Sequence, residues 1–565
     1  MSAIAIVGMG CRFAGAPDLQ SYWKLTVEGR DSFGPVPMDR WDHTAIFDTN
    51  RRAADKTSAP HGAFIQDIRT FPALALGLPP RRVEVMDPQQ RFTLEVCLQA
   101  IQDSGRKPED MPHRTGVYVG ITASEYRNLM GTRIVAQMMA DGQLGDAPED
   151  LDAIAAGVNR VVPSRPYSAP GALANMVAAA VAQELDLHGP AFTVDAACAS
   201  ALIACTSAVK QLRDGSIDAA LVGGAYLQIT PENYVAFSRI GAMSEAGRCR
   251  PFDKSADGFV QGDGAGALFL KRLEDAQRDG DRIYAVIDGA AFNNDGRGDG
   301  PMAPVEAGQI EVVKDAWQDA GRKGSEVGYV ETHGTGTTVG DIAEFNALRK
   351  AIGEGVSGAA IGSAKANVGH TMSAAGMAGM IRAALAVHHK VLPPMAGFEE
   401  AKPELGIEGS GFVIPTEPTA WESDNRVAGV SSFGFGGTNA HVVLSQAPQT
   451  EAVAEQAEVL CMSAPDEASL RELAGELGKV VGITKEANRH LAWAFYFVDT
   501  LGAPGSADSA AAAVPGVRAP ERVAVRGGVR AVRGPRAQVV GHQRLGRRRR
   551  RHHVLHAVLG ALGAL

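Results

Sequence analysis

The strongest constraint on this chain is a rhythm of short apolar runs, each ending in glycine or a polar turn, alternating with stretches of helical spacing. The runs are Ile4–Val7, Gly116–Val119, Ala219–Val222, Ile283–Ile287, Tyr329–Val330, Ala359–Ile361 and Val442–Leu444. Such runs are too short for helices, and with no polar alternation they need both faces covered. Each is therefore predicted to be a strand buried between helices, which implies an α/β fold built in layers. At 565 residues and 45% hydrophobic content, the chain has ample material for large cores.

The formal charge of −9 conceals an asymmetry: residues 516–565 hold twelve arginines against the single acid Glu521, so the body is more acidic than the total. An acidic body argues against a general nucleic-acid binder. The six cysteines, Cys11, Cys97, Cys198, Cys205, Cys249 and Cys461, include no C-x-x-C pair. That removes the usual zinc and redox motifs and implies a reduced, cytoplasmic protein with no metal centre. The N-terminus reads as strand and turn rather than as a signal peptide, and no window approaches the length of a membrane span.

Ala191–Val194 reads as a strand and Asp195-Ala196-Ala197 as a turn. A helix follows, because Leu202, Cys205, Val209 and Leu212 share one face. Cys198 then sits at the helix start, where unpaired N–H groups and the positive end of the helix dipole favour a thiolate. Alone, such a cysteine reads equally as a small core residue. Its surroundings change the reading. Tyr329–Glu331 leads into His333-Gly334-Thr335-Gly336-Thr337, and Ala359–Ser363 leads into Lys365-Ala366-Asn367-Val368-Gly369-His370, so both histidines lie on loops after strands. From Cys198 the separations are 135 and then 37 residues.

In these settings, order and spacings the chain resembles the β-ketoacyl synthases of type I polyketide synthases and of polyunsaturated-fatty-acid synthases. Further matches are Met86-Asp87-Pro88-Gln89-Gln90-Arg91, Arg250-Pro251-Phe252-Asp253, Gly340-Asp341 with Glu344, and Ser431-Ser432-Phe433-Gly434-Phe435-Gly436-Gly437-Thr438-Asn439-Ala440-His441. The resemblance implies a thiolase-like fold with a duplicated αβαβα layered architecture. It divides the body into a half at 1–260 carrying Cys198 and a half at 261–447 carrying His333 and His370. The activity implied is decarboxylative Claisen condensation: an acyl group passes from a carrier-protein phosphopantetheine to Cys198 and is attacked by the carbanion of a malonyl-type thioester.

By the same resemblance His333 and His370 stabilise the enolate, while the backbone N–H groups of Cys198 and Phe435 form an oxyanion hole. Lys365 and Glu344 organise the network, and Thr335 and Thr337 bind the pantetheine arm; a purely structural loop network is the alternative for these four. The implied enzyme binds no cofactor of its own, uses substrates carried on phosphopantetheine, works with an acyl carrier protein and an acyltransferase supplied elsewhere, and forms a homodimer. Two other functions compete: a silent fragment or scaffold, and a thiolase. The intact Cys198, His333 and His370 set weighs against the first, and the paired histidines with the Gly-Thr-Gly-Thr loop weigh against the second.

Two departures stand out. The nucleophile lies in Asp195-Ala196-Ala197-Cys198-Ala199-Ser200 where polyketide synthases commonly show Asp-Thr-Ala-Cys-Ser-Ser, and Ile342 replaces the usual proline after Asp341. Gly262-Asp263-Gly264-Ala265-Gly266 and Gly434-Phe435-Gly436-Gly437 lack the context of phosphate loops and read as tight turns. His188, His388, His389 and His441 read as surface or packing residues, as Met372, Met377 and Met380 read as helix packing. Residues 448–504 resemble the start of a ketosynthase–acyltransferase linker, with helical spacing over Ala464–Val481. Residues 505–565 are Arg-rich without periodicity and receive no fold. They read either as out-of-frame translation of GC-rich DNA or as a basic docking tail around Arg547–Arg551.

Overall fold

A computed structural model describes most of residues 2–448, omitting chiefly 144–151 and 158–164, together with two strands at 522–525 and 529–532. Ten principal strands and one short edge strand form its main sheet. In chain order they are β1 (Ile4–Phe13), β2 (Thr115–Gly120), β3 (Ala191–Val194), β4 (Ala219–Tyr226), β5 (Gly264–Arg272), β6 (Ala285–Asn294), β7 (Tyr329–Glu331), β8 (Ala359–Gly362), β9 (Phe412–Val413), β10 (Val427–Phe433) and β11 (Thr438–Gln446). Every apolar run singled out from the sequence overlaps one of these strands, with Ile283–Ile287 entering β6 only at Ala285.

The spatial order is β9-β8-β7-β10-β11-β6-β1-β5-β4-β2-β3. Numbered within each half, the first five strands lie in the order 3-2-4-5-1, and so do β6, β7, β8, β10 and β11. The pairing directions repeat as well. The second strand runs parallel to the third and fourth in both halves, and the fifth runs antiparallel to the fourth and first. The fold is thus an internal duplication, joined where β1 meets β6 at Ile4–Ile287.

Between the two half-sheets lie the helices Ser200–Arg213 and Ala375–His389, buried on nearly every side. Leu202, Cys205, Val209 and Leu212 have no exposed surface, and Met377 and Met380 pack in the same core. Burying a side chain such as Leu202 contributes about 1.5–3 kcal/mol. Pro88–Asp103 and Met176–Glu184 cover the outer face of the first half, and Glu306–Ala320 and Gly340–Ile352 cover that of the second. Five layers of helix and sheet result.

Two expectations are corrected. The Gly262–Gly266 segment is not a tight turn: Gly264–Arg272 is a central strand, and none of its three glycines has positive φ. Their use is close approach, since a Cβ on Gly266 would stand 3.1 Å from both Met377 and Ile381 of the central helix. Because β5 completes the first copy, the division at residues 260/261 falls in front of a strand that belongs to the first half. The connection between β5 and β6 separates the copies instead.

His441 is fully buried in packing: the Trp317 indole donates to its Nε2 at 3.2 Å, leaving Nδ1 to donate to Ser431 Oγ at 2.9 Å. His188 stacks on His113 at the surface, His389 stacks on Trp23, and His388 tilts against Tyr284. In the tail, Arg522–Val525 and Val529–Val532 form an antiparallel hairpin where the sequence had suggested no structure. The linker from 449 onward, Ala464–Val481 and Arg547–Arg551 lie outside the described residues.

Candidate active site

The chain reverses sharply between β3 and the first central helix. Ala197 takes φ +49, a region an L-residue enters at a cost. Three local bonds hold it there. Ala197 N–H donates to Asp195 Oδ1 at 3.0 Å, Ala196 N–H to Ser200 Oγ at 2.8 Å, and Ser200 Oγ to Ala197 O at 2.6 Å. A 3₁₀ turn over Ala197–Ala199 then leads into the helix and presents Cys198, 5% exposed, to a cleft of about 340 Å³.

Ile240, Gly241, Ala242 and Phe259 of the first half share its walls with residues of the second. His333 follows β7, His370 follows β8, and Phe435 lies in the turn between β10 and β11. The Cys198 sulfur and one ring nitrogen of each histidine lie within 4.8 Å of one another. The imidazoles cross edge to face, with centroids 5.6 Å apart and an 82° interplanar angle. Thr335 and Thr337 line the same cleft with their hydroxyls 3.0 Å apart. Exposed Ile240 and Val339 line it as well.

Burial dominates the titration of the site. It pushes the Cys198 thiol up to about 11, against the opposing pull of the Lys365 charge and the N–H groups of Phe435 and of Cys198 itself. The thiolate expected from the helix start is therefore corrected: desolvation outweighs the helix end. Burial also lowers His333 and His370 well below the usual histidine value, with the Lys365 charge acting in the same direction. Both rings are neutral near pH 7. The Met372 N–H donates to His370 Nδ1 at 3.1 Å, so the ring proton sits on Nε2. Met372 itself holds φ +43.

A pH prediction follows. Below its raised value a thiol reacts in proportion to its thiolate fraction, so alkylation of Cys198 by iodoacetamide rises about tenfold per pH unit from 7 to 9. A plateau below pH 9, followed by intact mass, would mean that the helix end wins after all.

Glu344 lines the cleft but spends its carboxylate on the loop backbone, accepting from His333 N at 2.6 Å and Gly334 N at 2.7 Å. Burial raises it to about 7. Lys365 sits behind the cleft, buried, and meets Glu344 through charge rather than through an ion pair within 4.0 Å. Asp341, raised to about 6 by burial, ties Phe252 N at 2.7 Å to Gly336 N at 3.0 Å and so braces the threonine loop.

The Phe435 turn needs its glycines. A Cβ on Gly434 would stand 2.4 Å from Ala196 O, and Gly436 and Gly437 take φ +90 and +80. Ser432 Oγ donates to Cys198 O at 2.7 Å, linking this loop to the Cys198 turn. Sequence reasoning missed the functions of Ser432 and Met372, which act by a single hydrogen bond and a backbone group. One thiol and two imidazoles could also ligate a soft metal ion. The Lys365 charge felt by both rings weighs against a dication here.

Two copies of a five-stranded unit around a pair of buried helices, with a cysteine at the start of the first, place the molecule among acyl-transferring enzymes of thiolase-like fold. Sequence comparison narrows the class. Residues 1–276 match the Beta-ketoacyl synthase, N-terminal domain, residues 284–399 the Beta-ketoacyl synthase, C-terminal domain, and residues 402–492 the Ketoacyl-synthetase C-terminal extension. The chain belongs to the β-ketoacyl synthase family.

Among its relatives, one polypeptide of the phenolphthiocerol/phthiocerol polyketide synthase of Mycobacterium tuberculosis is 39% identical over 459 residues, covering 80% of this chain and 28% of the relative. Another polypeptide of the same synthase is 41% identical over 450 residues, covering 78% and 22%. The chain thus spans about a quarter of the length of the curated relatives it matches. Among solved structures, the module 6 ketosynthase of the bacillaene synthase of Bacillus subtilis 168 aligns with TM-score 0.71 at 34% identity, covering 87% of this chain and 78% of that one. A Streptomyces albus oxazolomycin ketosynthase domain aligns with TM-score 0.77 at 31% identity, covering 86% and 82%.

Proposed function

We propose that the chain catalyses decarboxylative Claisen condensation between an acyl group on Cys198 and a malonyl-type thioester borne by an acyl carrier protein. The observation that carries this reading is the convergence of Cys198, His333 and His370 within 4.8 Å. In the first step the Cys198 sulfur attacks the incoming thioester and displaces the pantetheine thiolate, and the thiol proton leaves as the bond forms. A neutral imidazole stands within reach of that proton. The Phe435 and Cys198 N–H groups, which reach the sulfur, are placed to hold the oxyanion of the tetrahedral intermediate.

In the second step the malonyl C–C bond breaks, CO₂ departs with no electrons from that bond, and the pair becomes an enolate. His370 Nε2–H and a His333 N–H donate to the enolate oxygen. Neutral donors suit this task, because they stabilise the developing charge without surrendering a proton to it. The enolate carbon attacks the Cys198 thioester, and collapse expels the sulfur, which regains a proton. Thr335 and Thr337 bind the pantetheine arm, with Lys365 and Glu344 holding the loops in place. The test is intact-mass detection of acyl loading from acyl-pantetheine thioesters, followed by CO₂ release and a β-ketoacyl product on adding malonyl-pantetheine thioester. Failure to load any acyl group on folded protein would sink the reading.

We also infer a homodimer formed through β3. Among the described residues this strand pairs on one side only, with β2; its Phe192 is 36% exposed, and it leads directly into the Cys198 turn. Phe192→Lys should convert a two-chain species into a one-chain species in sedimentation velocity, and an unchanged sedimentation coefficient would refute the interface. The five described cysteines are all free and buried, which suits a reducing compartment such as the cytoplasm. Among the described residues, no helix is long and apolar enough to cross a membrane.

A further inference from the structure

Glu331 and Arg382 form an ion pair sealed from water: the atoms are 2.7 Å apart and the side chains 2% and 0% exposed. Neither lines the cleft. Burying two charges costs more than the pair returns relative to apolar residues of the same size, so its presence calls for a reason other than stability. Its hydrogen bonds supply one.

Glu331 Oε1 accepts the backbone N–H of Ala364 at 2.6 Å, and Oε2 accepts the Tyr329 hydroxyl at 2.5 Å as well as Arg382 Nη1. Arg382 lies on the central helix Ala375–His389 and donates through Nη2 to Pro394 O at 2.8 Å. Space for the pair depends on two glycines: a Cβ on Gly379 would come within 3.0 Å of Glu331 Cγ, and one on Gly362 within 2.5 Å of Arg382 Nη1. Glu331 precedes His333 by two residues, and Ala364 adjoins Lys365 on the loop that ends at His370. The two loops also meet where Ser363 Oγ donates to Gly334 O at 3.0 Å, and the Glu331 link extends that tie to the central helix.

We propose that Glu331, anchored by Arg382, is a positioning residue that fixes the separation of the His333 loop from the Lys365–His370 loop, and with it the spacing of the two imidazoles about the enolate oxygen. The inference rests on the condensing function proposed above. A loosened spacing lowers the rate of the step in which both rings act together, while Thr335 and Thr337, whose stretch of the loop is braced separately by Asp341, keep their hold on the pantetheine arm.

The test compares two double variants that remove the buried charge pair. Glu331→Gln with Arg382→Met keeps an acceptor for Ala364 N–H and should condense within about threefold of wild type, whereas Glu331→Leu with Arg382→Met loses that acceptor and should lose at least about tenfold in kcat. KM for malonyl-pantetheine thioester should stay within about twofold in both. Each kcat is taken per chain that loads an acyl group on Cys198, so misfolded protein drops out. Gly379→Ala, which presses on Glu331 with both charges kept, should show the same kcat-selective loss and decides the matter alone if neither double variant loads. Equal kcat in the two double variants, or a loss confined to KM, overturns the proposal. A wild-type protein that loads but never condenses overturns the function beneath it.

Discussion

Cys198→Ala is expected to take up no acyl group from an acyl-pantetheine thioester and to lose at least about 10³-fold in condensation rate, the scale on which removal of a covalent nucleophile is felt. The substitution removes one buried sulfur from a turn whose geometry is set by Asp195, Ser200 and Ser432 through bonds that do not involve the Cys198 side chain. The fold should therefore survive, and a thermal unfolding midpoint near that of wild type would show it. Intact mass is the decisive measurement. An adduct of equal stoichiometry on the variant would move the nucleophile elsewhere, with buried Cys249, whose Sγ lies 3.4 Å from Thr335 O, as the place to look.

The second large effect is expected at the histidines. His333→Ala and His370→Ala should each lower condensation by about 10²–10³-fold, the cost of deleting one preorganised donor at a developing oxyanion. If both rings hold one oxygen, as proposed, the double variant should fall far less than the product of the single losses. The sign of the pH dependence follows from their environment. Burial lowers both rings well below the ordinary histidine value, so the neutral form, which can take the Cys198 proton, persists through pH 6.5 and the acid limb of kcat lies well beneath it. A wild-type kcat that halves near pH 6.5 would contradict neutral rings held in a desolvated site.

Much of this arrangement is legible in the chain. Strands buried on both faces announce themselves as apolar runs, and a cysteine after strand and turn, with two histidines after later strands, needs no coordinates to be noticed. What escapes has a physical cause in each case. The Gly264–Arg272 strand hides because its glycines serve close packing, Gly264 against Phe13 and Thr371 and Gly266 against Met377 and Ile381, a requirement indistinguishable from turn chemistry without those partners in view. The protonation of Cys198 escapes because the helix start is local and visible, while the burial that outweighs it depends on the whole fold. Met372 escapes because its backbone N–H, available on any residue but proline, does the orienting.

The repeated 3-2-4-5-1 strand order has a historical consequence. Cys198 follows the third strand of the first copy, and His370 follows the third strand of the second, so the two stand at equivalent places in a once identical unit. An ancestral single unit could build such a cleft only by meeting another of itself, and every change at the place now held by Cys198 would also have altered the equivalent place now held by His370. Fusion broke that constraint. With both units on one chain, the first could specialise toward the acyl-holding role proposed for Cys198 and the second toward the enolate-stabilising role proposed for His370, and mutations in either could be selected for one role alone.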